Sequence, residues 1–371
     1  MVEQPRSAGD EAGVETTDTG RMRVLSIQSS VAYGHVGNSA AVFPLQRLGH
    51  EVWPVLTVHF SNHTGYGAWR GPLLDPADVA EVIAGIEDRG VLGTADAVLS
   101  GYQGDPAVGG VVLDAVAKVK EANPEALYCC DPVMGDVGRG MFVRPGIPEF
   151  MRDTVVPAAD VVTPNHFELD FLAGTTTRTL DEVLDAVDVV RAQGPRHVLV
   201  TSVLHDEVPD GHLEVVAVSD EGAWAVTTPL LPITPNGCGD VTAALYLAHL
   251  HETGSPAEAL SRTTGPNRHS RTPEPSLTHA RTVTHARPRR RSRTAETAPG
   301  ADRRACREPL SRHPRQSPGG LVAQRWRASH LDRRRGGAGD RSRTRDILFT
   351  REALYQLSYT GDAQHSRARR S

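Results

Sequence analysis

The five residues 236–240, which read Asn-Gly-Cys-Gly-Asp, are the stretch of this chain best suited to do chemistry. Two glycines around one small residue favour a tight turn, and the apolar residues from Val241 to Leu247 have the spacing of a helix. A turn that opens a helix points several backbone N–H groups into one concavity and so favours phosphate binding. Asp240 could then accept a proton from an alcohol that attacks a phosphoryl group. The alternative is an ordinary turn in which Asp240 caps the helix.

The elements that must position this turn alternate between two periodicities. Short apolar runs of strand type occur at residues 23–28, 52–58, 97–99, 126–130, 160–162, 197–200, 213–218 and 224–227. Helical spacing occurs between them, in a segment that ends at residue 47 and at residues 75–88, 108–121 and 180–192. Strands that alternate with helices predict the α/β class, with one doubly wound, mainly parallel sheet and helices on both faces.

Polar residues come at or just after the ends of many of these strands. Ser29, Tyr102, Asp131, Asn165 and Thr201 are the clearest of them, and the glycine turn follows the last strand. Ligands of doubly wound sheets bind beyond the carboxyl ends of the strands, so we expect these side chains to converge on one site. Each has an ordinary structural alternative, such as a turn residue for Ser29, a core aromatic for Tyr102 and a strand cap for Asp131.

Residues 59–71, HFSNHTGYGAWRG, are predicted to form a loop with two histidines, three aromatic residues and three glycines. A loop of this length and composition is more often functional than a plain connector. His59 and His63 have no carboxylate or cysteine nearby in the sequence, so the sequence does not favour a metal site here.

Charge divides the chain into unlike parts. Residues 1–264 carry 15 Lys and Arg against 36 Asp and Glu, whereas residues 265–371 carry 25 Arg, no Lys and 9 acidic residues. We predict a disordered leader at 1–21, one folded domain at 22–264, and a disordered Arg/Pro-rich tail at 265–371. No apolar run approaches a membrane span and the four cysteines form no disulfide pattern, so the cytoplasm is the expected compartment.

Six motifs in order, IQSSVAYGHVGNSAA, FSNHTGYG, LSGYQGD, CDPVMGD, TPNHFELD and NGCGDV, resemble those of the pyridoxal kinase family within the ribokinase-like superfamily. The resemblance covers residues 22–264. It implies a three-layer α/β/α fold and a homodimer in which ATP phosphorylates the 5′-hydroxymethyl group of pyridoxal. It also implies Mg²⁺ and admits a monovalent cation such as K⁺.

The resemblance also implies roles for single residues. Asp240 resembles the catalytic aspartate that faces the substrate hydroxyl, and Gly237, Cys238 and Gly239 would donate backbone N–H groups to the migrating phosphoryl group. The implied Mg²⁺ ligands are Asp131 and Glu168, although Glu168 alone reads as an acid in a first helical turn. The remaining implied contacts are Ser29, Thr64 and Tyr102 for pyridoxal, and Asp131, Asp136, Asn165, Glu168, Thr201 and Ser202 for ATP.

Two positions depart from the pattern of the family. Some bacterial relatives have a lysine where Thr201 stands, so a hydroxyl group replaces a charge there. Some relatives carry a tyrosine where this chain has Phe142, and its role stays open.

The resemblance ends near Gly265, where further helical sequence that helps to close the adenine side is replaced by the Arg-rich tail. We interpret the tail as an out-of-frame translation, because Arg, Pro, Gly, Ala and Ser are what GC-rich DNA encodes in other frames. A nucleic-acid-binding arm is the alternative, although the tail has few aromatic residues for base stacking. The rival functions are a hydroxymethylpyrimidine-type kinase and a catalytically impaired protein that binds vitamin B6 compounds.

Overall fold

The structure is a computed structural model that describes residues 20–233, 236–265 and 281–283. Within these residues the chain forms eleven strands: β1 Arg23–Tyr33, β2 Glu51–Asn62, β3 Ala97–Ser100, β4 Leu127–Cys130, β5 Gly135–Asp136, β6 Gly140–Met141, β7 Val161–Val162, β8 His197–Val203, β9 His212–Ser219, β10 Gly222–Pro229 and β11 Arg281–Val283. The same residues form nine α-helices: α1 Asn38–Arg47, α2 Pro76–Asp88, α3 Pro106–Ala122, α4 Ile147–Phe150, α5 Val156–Ala158, α6 His166–Ala173, α7 Leu180–Arg191, α8 Cys238–Thr253 and α9 Pro256–Thr264.

The described strands other than the β5–β6 hairpin make one sheet in the order β11-β10-β9-β8-β7-β4-β3-β1-β2. The pairs from β2 to β8 are parallel, and β8 to β11 are joined in antiparallel fashion. This confirms the prediction of a mainly parallel sheet. The carboxyl ends of the parallel strands therefore meet at one edge, which is where the predicted site residues lie.

Two apolar cores cover the two faces of the sheet. In β1, Leu25 and Ile27 pack into one core, whereas Met22, which precedes the strand, and Val24 pack into the other. Because side chains alternate along a strand, such a strand is buried on both faces and reads as a continuous apolar run. The first core includes residues of α2, α3, α6 and α7, and the second includes residues of α1, α8 and α9. The fold is thus a three-layer α/β/α arrangement of the ribokinase-like type, as predicted.

The first two strands are longer than the sequence indicated. β1 continues to Tyr33 and β2 to Asn62, and the two pair to their ends with a register shift between Gln28 and Ser30. The prediction of a first strand that ends at residue 28 and that of a loop over 59–71 were therefore wrong in part. The ends of β1 and β2 extend beyond the rest of the sheet and form backbone hydrogen bonds with each other. The sequence of either segment alone does not show that the other segment is there to pair with it.

Part of the segment predicted to be disordered belongs to the sheet. Residues Arg281–Val283 pair with Ala223, Trp224 and Ala225 of β10, and Val283 packs against the core. For these three residues the prediction of disorder is wrong, because an edge strand needs only backbone groups and one apolar side chain. The rest of the predicted leader and tail, residues 1–19, 266–280 and 284–371, lies outside the described residues. No described helix is both long and apolar enough to cross a membrane.

Candidate active site

One pocket lies at the carboxyl edge of the parallel strands and offers about 1050 Å³ of unfilled space, part of it open to solvent. It brings together most of the residues predicted from the sequence: Ser29, Thr64, Tyr102, Asp131, Asp136, Asn165, Glu168, Thr201, Gly237, Gly239 and Asp240. Two predicted residues, Cys238 and Ser202, do not line it. The Cys238 side chain is buried, which agrees with a thiol that fills space and leaves its backbone N–H at the start of α8.

The glycine turn before α8 is held by close packing. Gly237 caps the helix at φ 93°, and a Cβ atom built there would lie 1.9 Å from the His35 carbonyl oxygen. Only glycine fits both the angle and the space. Gly239 lies inside α8, and the nearest atom to a Cβ built on it is Asp131 Oδ2 at 3.9 Å. The backbone conformation therefore requires glycine at position 237, whereas the absence of a side chain at Gly239 leaves open space in the pocket.

The half-buried side chain of Asp240 lies at the start of α8 and lines the pocket. Burial raises its pKa, and hydrogen bonds from the backbone N–H groups of Gly37 and of Asp240 itself lower it in part. The site therefore holds a carboxylate that is a better proton acceptor than one in water, yet is fixed in direction by backbone donors.

The segment that carries Gly37 also packs on Ser29. Gly37 has φ 53°, and a Cβ atom built on it would lie 2.2 Å from the Ser29 carbonyl oxygen. Next to it, Asn38 Nδ2 donates to the carbonyl oxygens of Gln28 at 3.3 Å and Val55 at 3.0 Å, across the register shift of β1. Asn38 thereby ties the start of α1 to both β1 and β2. One loop thus touches both Ser29 and Asp240, a link that the sequence reasoning missed.

Two buried carboxyl groups, those of Asp131 and Glu168, line the same pocket as Asp240. Burial and the nearby Asp240 raise the pKa of Asp131 to about 8, with partial relief from the Thr163 hydroxyl group, which donates at 3.0 Å. Burial and Asp131 raise the pKa of Glu168 well above its ordinary value. Glu168 accepts backbone N–H groups of Met134, Gly135 and Asn165, so few of its lone pairs are free.

These residues fit a divalent cation that keeps part of its water shell. After burial, the charge of Asp240 raises the pKa of Asp131 and the charge of Asp131 raises that of Glu168, and a bound cation would offset both charges. Within the described ranges no group of three or more His, Cys, Asp or Glu side chains is arranged to hold a metal ion. Magnesium is commonly held by one or two carboxylates together with water and substrate phosphates, which matches this donor set.

The predicted nucleotide residues lie around the start of α6. Asn165 caps this helix through a capping box with Glu168, and its Nδ2 donates to the Gly135 carbonyl oxygen at 2.8 Å. The backbone of Asn165 also forms an isolated parallel β-bridge with Thr201 of β8. Ser202 follows at φ 53°, the sole non-glycine residue with positive φ among those described, and its buried hydroxyl group has no hydrogen-bond partner.

Asp136 and Arg139 lie on the β5–β6 hairpin, an element that the sequence reasoning did not predict. Burial raises the pKa of Asp136 to about 6, although its hydrogen bond from Val137 N–H and the charge of Arg139 lower it in part. The Arg139 guanidinium lies 5.3 Å from the centre of the Phe142 ring. The Gly-Arg-Gly sequence at residues 138–140, shortly after Asp136, was the available indication of this hairpin.

The opposite side of the pocket carries aromatic and hydroxyl groups. Thr64 lies in a short 3₁₀ turn, Thr64–Tyr66, capped by His63, whose Nδ1 accepts the N–H of Gly65 at 3.1 Å. Burial lowers the pKa of His63, and the charge of Arg139 lowers it further, so this ring is neutral at physiological pH. Tyr102 is held by Thr57, whose hydroxyl group donates to its carbonyl oxygen at 2.7 Å. A flat polar ring could stack here with its edge near the hydroxyl groups.

A sequence model of the phosphomethylpyrimidine kinase family matches residues 94–265. The pyridoxal kinase PdxY of Leifsonia xyli is 62% identical over 242 residues, which are 65% of this chain and 86% of that protein. The pyridoxal kinase PdxY of Rubrobacter xylanophilus is 64% identical over 245 residues, or 66% of this chain and 84% of the relative.

Solved structures are similar over the same share of the chain. Pyridoxal kinase from Leishmania donovani, in complex with ADP and pyridoxamine, has a TM-score of 0.60 and 31% identity over 65% of this chain and 83% of that one. A putative phosphomethylpyrimidine kinase from Bacteroides thetaiotaomicron has a TM-score of 0.61 and 27% identity, and the match covers 67% of this chain and 85% of that one. With most of the length of these relatives matched at such identity, the chain belongs to the pyridoxal kinase family of ribokinase-like proteins.

Proposed function

We propose that this protein transfers the γ-phosphoryl group of ATP to the 5′-hydroxymethyl group of pyridoxal. The observation that carries the proposal is the position of Asp240, at the start of α8, in one pocket with the polar residues Ser29, Thr64 and Tyr102. The family of the chain and the ADP complexes of its structural neighbours support ATP as the phosphoryl donor.

In the proposed reaction, the substrate hydroxyl oxygen forms a bond to the γ-phosphorus while the bond from that phosphorus to the β–γ bridging oxygen breaks. The electron pair of the broken bond goes to ADP, and the hydroxyl proton goes to the Asp240 carboxylate. Since phosphoryl transfer depends on positioning more than on a strong base, the backbone donors that fix Asp240 matter as much as its pKa.

The first N–H groups of α8, at Gly237, Cys238 and Gly239, are proposed to bind the oxygens of the migrating phosphoryl group. The N-cap residue of α8 is Gly237, which makes no side-chain capping hydrogen bond, and the N-terminus of a helix favours binding of an anion. The open space at Gly239 supports a close approach of phosphate to the backbone.

Asp131 and Glu168 are the proposed residues that hold Mg²⁺, through water at least in part. The cation would offset the negative charge of the phosphates when it is bound. Asp136, Asn165, Thr201 and Ser202 are the proposed contacts to ATP, together with the two metal-binding carboxylates. We further propose a homodimer in the cytoplasm, and assign no residue to a monovalent cation such as K⁺.

A hydroxymethylpyrimidine-type kinase is the second candidate, because the matching family model is described as phosphomethylpyrimidine kinase. In the two reactions the hydroxymethyl group that accepts the phosphoryl group is attached to different rings, a pyridine or a pyrimidine. A substrate panel on the full chain distinguishes them: we expect kcat/KM for pyridoxal to exceed that for hydroxymethylpyrimidine by at least about 10-fold, since a pocket that hydrogen-bonds its substrate rejects poor matches. The opposite ranking would contradict the proposal, and absence of turnover with either ring would favour the binding protein without catalysis.

A further inference from the structure

The pocket carries more negative than positive charge. Its described lining contains the four carboxyl groups of Asp131, Asp136, Glu168 and Asp240, but one cationic side chain, that of Arg139. ATP adds several further negative charges, and His63 is neutral because burial and Arg139 lower its pKa. Arg139 is thus the positive side chain from which an incoming phosphate can gain attraction within the described pocket.

The guanidinium of Arg139 has neighbours on two walls of the pocket. It rests on the Phe142 ring at 5.3 Å, and its Nη2 lies 3.4 Å from where a Cβ atom of Gly65 would be. Among the described residues no carboxylate forms an ion pair with it, although Asp136 is near enough for its pKa to be lowered by the charge of Arg139. Its donors are therefore not committed to a protein acceptor, while stacking on Phe142 restricts its position.

Arg139 lies where the two proposed substrates must meet. On one side is Asp136, in the part of the pocket proposed for ATP, and on the other is Gly65, next to Thr64 in the part proposed for pyridoxal. The transferred group passes from the first part to the second. Resting on the proposed function, we infer that Arg139 binds the phosphoryl group in transit and is a further catalytic residue of this chain.

In this role the planar guanidinium donates two N–H groups to oxygens of the γ-phosphoryl group as its bond to the bridging oxygen lengthens. Arg139 loses no proton in the step, because the hydroxyl proton goes to Asp240 and the electron pair goes to ADP. Lysine keeps the charge but lacks the paired donors, and glutamine keeps some hydrogen bonding but lacks the charge. The two substitutions therefore separate charge from geometry.

The test is steady-state kinetics of the full-length chain with pyridoxal and MgATP. We expect Arg139→Ala and Arg139→Gln to lower kcat about 10²-fold, which is the typical effect of removing one donor to a reacting oxygen. The kcat of Arg139→Lys should lie between those of these variants and that of the wild type. Arg152→Ala is the matched control, because Arg152 also stacks on a ring, 5.4 Å from the centre of Phe171, but does not line the pocket. A kcat within threefold of the wild type in Arg139→Ala would overturn the inference.

A binding measurement keeps this test separate from the proposed function. We expect Arg139→Ala to weaken binding of the β,γ-imido analogue of ATP about 10-fold by calorimetry, while ADP affinity changes less than about twofold, since ADP lacks the γ-phosphate. If the wild type fails to phosphorylate pyridoxal, the proposed function is wrong. The loss of affinity for the ATP analogue relative to the loss for ADP still shows whether Arg139 binds the γ-phosphate. Equal losses for the analogue and for ADP would then overturn its role.

Discussion

The backbone N–H of Gly37 donates a hydrogen bond to the carboxylate of Asp240, although the two residues lie at opposite ends of the described domain in sequence. The loop before α1 and the turn before α8 also meet at His35 and Gly237, where a single added carbon would lie 1.9 Å from the His35 carbonyl oxygen. Helices α1 and α8 pack on the same face of the sheet, which holds the two loops in register. The proton acceptor is therefore positioned by the first helix as much as by its own.

The first prediction concerns this contact between loops. Gly237→Ala should remove at least about 10²-fold of activity and lower Tm, because a side chain at φ 93° cannot avoid the His35 carbonyl oxygen. Cys238→Ala should stay active, since it keeps its backbone N–H and the side chain that it changes is buried. Activity assays with melting curves on both proteins check this. An active Gly237→Ala would refute the contact, and a folded but inactive Cys238→Ala would give the thiol a role.

The second prediction concerns pH and the buried carboxyl groups. Because the pKa of Asp131 is raised to about 8 in the folded protein, the native state binds more protons than the unfolded state between about pH 4 and 8. In chelator, the free energy of unfolding should therefore fall as pH rises through this window, by at most about 1.4 kcal/mol per pH unit for this group. Asp131→Asn should flatten the slope, as measured by denaturant unfolding at several pH values.

Magnesium provides the control for that experiment. A cation that binds the ionised carboxylates should stabilise the wild type more at pH 8 than at pH 6, and should stabilise Asp131→Asn little at either pH. Identical pH slopes for the wild type and Asp131→Asn in chelator would contradict the raised pKa of Asp131 that burial and the nearby Asp240 produce.

The third prediction separates strain from binding at Ser202. Its positive φ costs about 1 kcal/mol or more, so Ser202→Gly should raise Tm by about 2–4 °C more than Ser202→Ala, which removes the same hydroxyl group but keeps the strain. If the buried hydroxyl group binds a phosphate oxygen, both variants should raise KM for ATP about 10-fold. Unchanged KM in both variants would remove Ser202 from the ATP site.

The fourth prediction concerns the tail. A chain ending at residue 286 should match the full chain in activity, if the residues beyond it are an out-of-frame translation. A chain ending at residue 264 should be less stable by roughly 1–3 kcal/mol, because it loses the β11 pairing with Ala223–Ala225. Melting curves and activities of the three proteins check both statements. Loss of activity in the chain ending at 286 would refute the out-of-frame interpretation, and equal stability of the two shortened chains would refute a role for β11.

The sequence predicted those features that are local or that repeat along the chain. Alternating apolar runs predicted the layers, and polar residues at strand ends, such as Asp131 and Asn165, predicted which side chains would meet. Contacts between distant backbone groups leave no such pattern, so the roles of Gly37 and Asn38 were missed. Arg139 was missed because its hairpin has two-residue strands, too short for a periodic pattern.

The proposed reaction depends on Asp240 as the acceptor of the proton from the 5′-hydroxyl group of pyridoxal. The most direct measurement is the rate of ATP-dependent formation of pyridoxal 5′-phosphate by the full chain and by Asp240→Asn, with folding of both verified by circular dichroism. We predict turnover by the wild type, and a kcat lower by roughly 10²–10⁴-fold in the variant with KM for pyridoxal little changed, because the lost interaction belongs to the transition state. Near-normal kcat in Asp240→Asn, or a folded wild type that makes no pyridoxal 5′-phosphate, would contradict it.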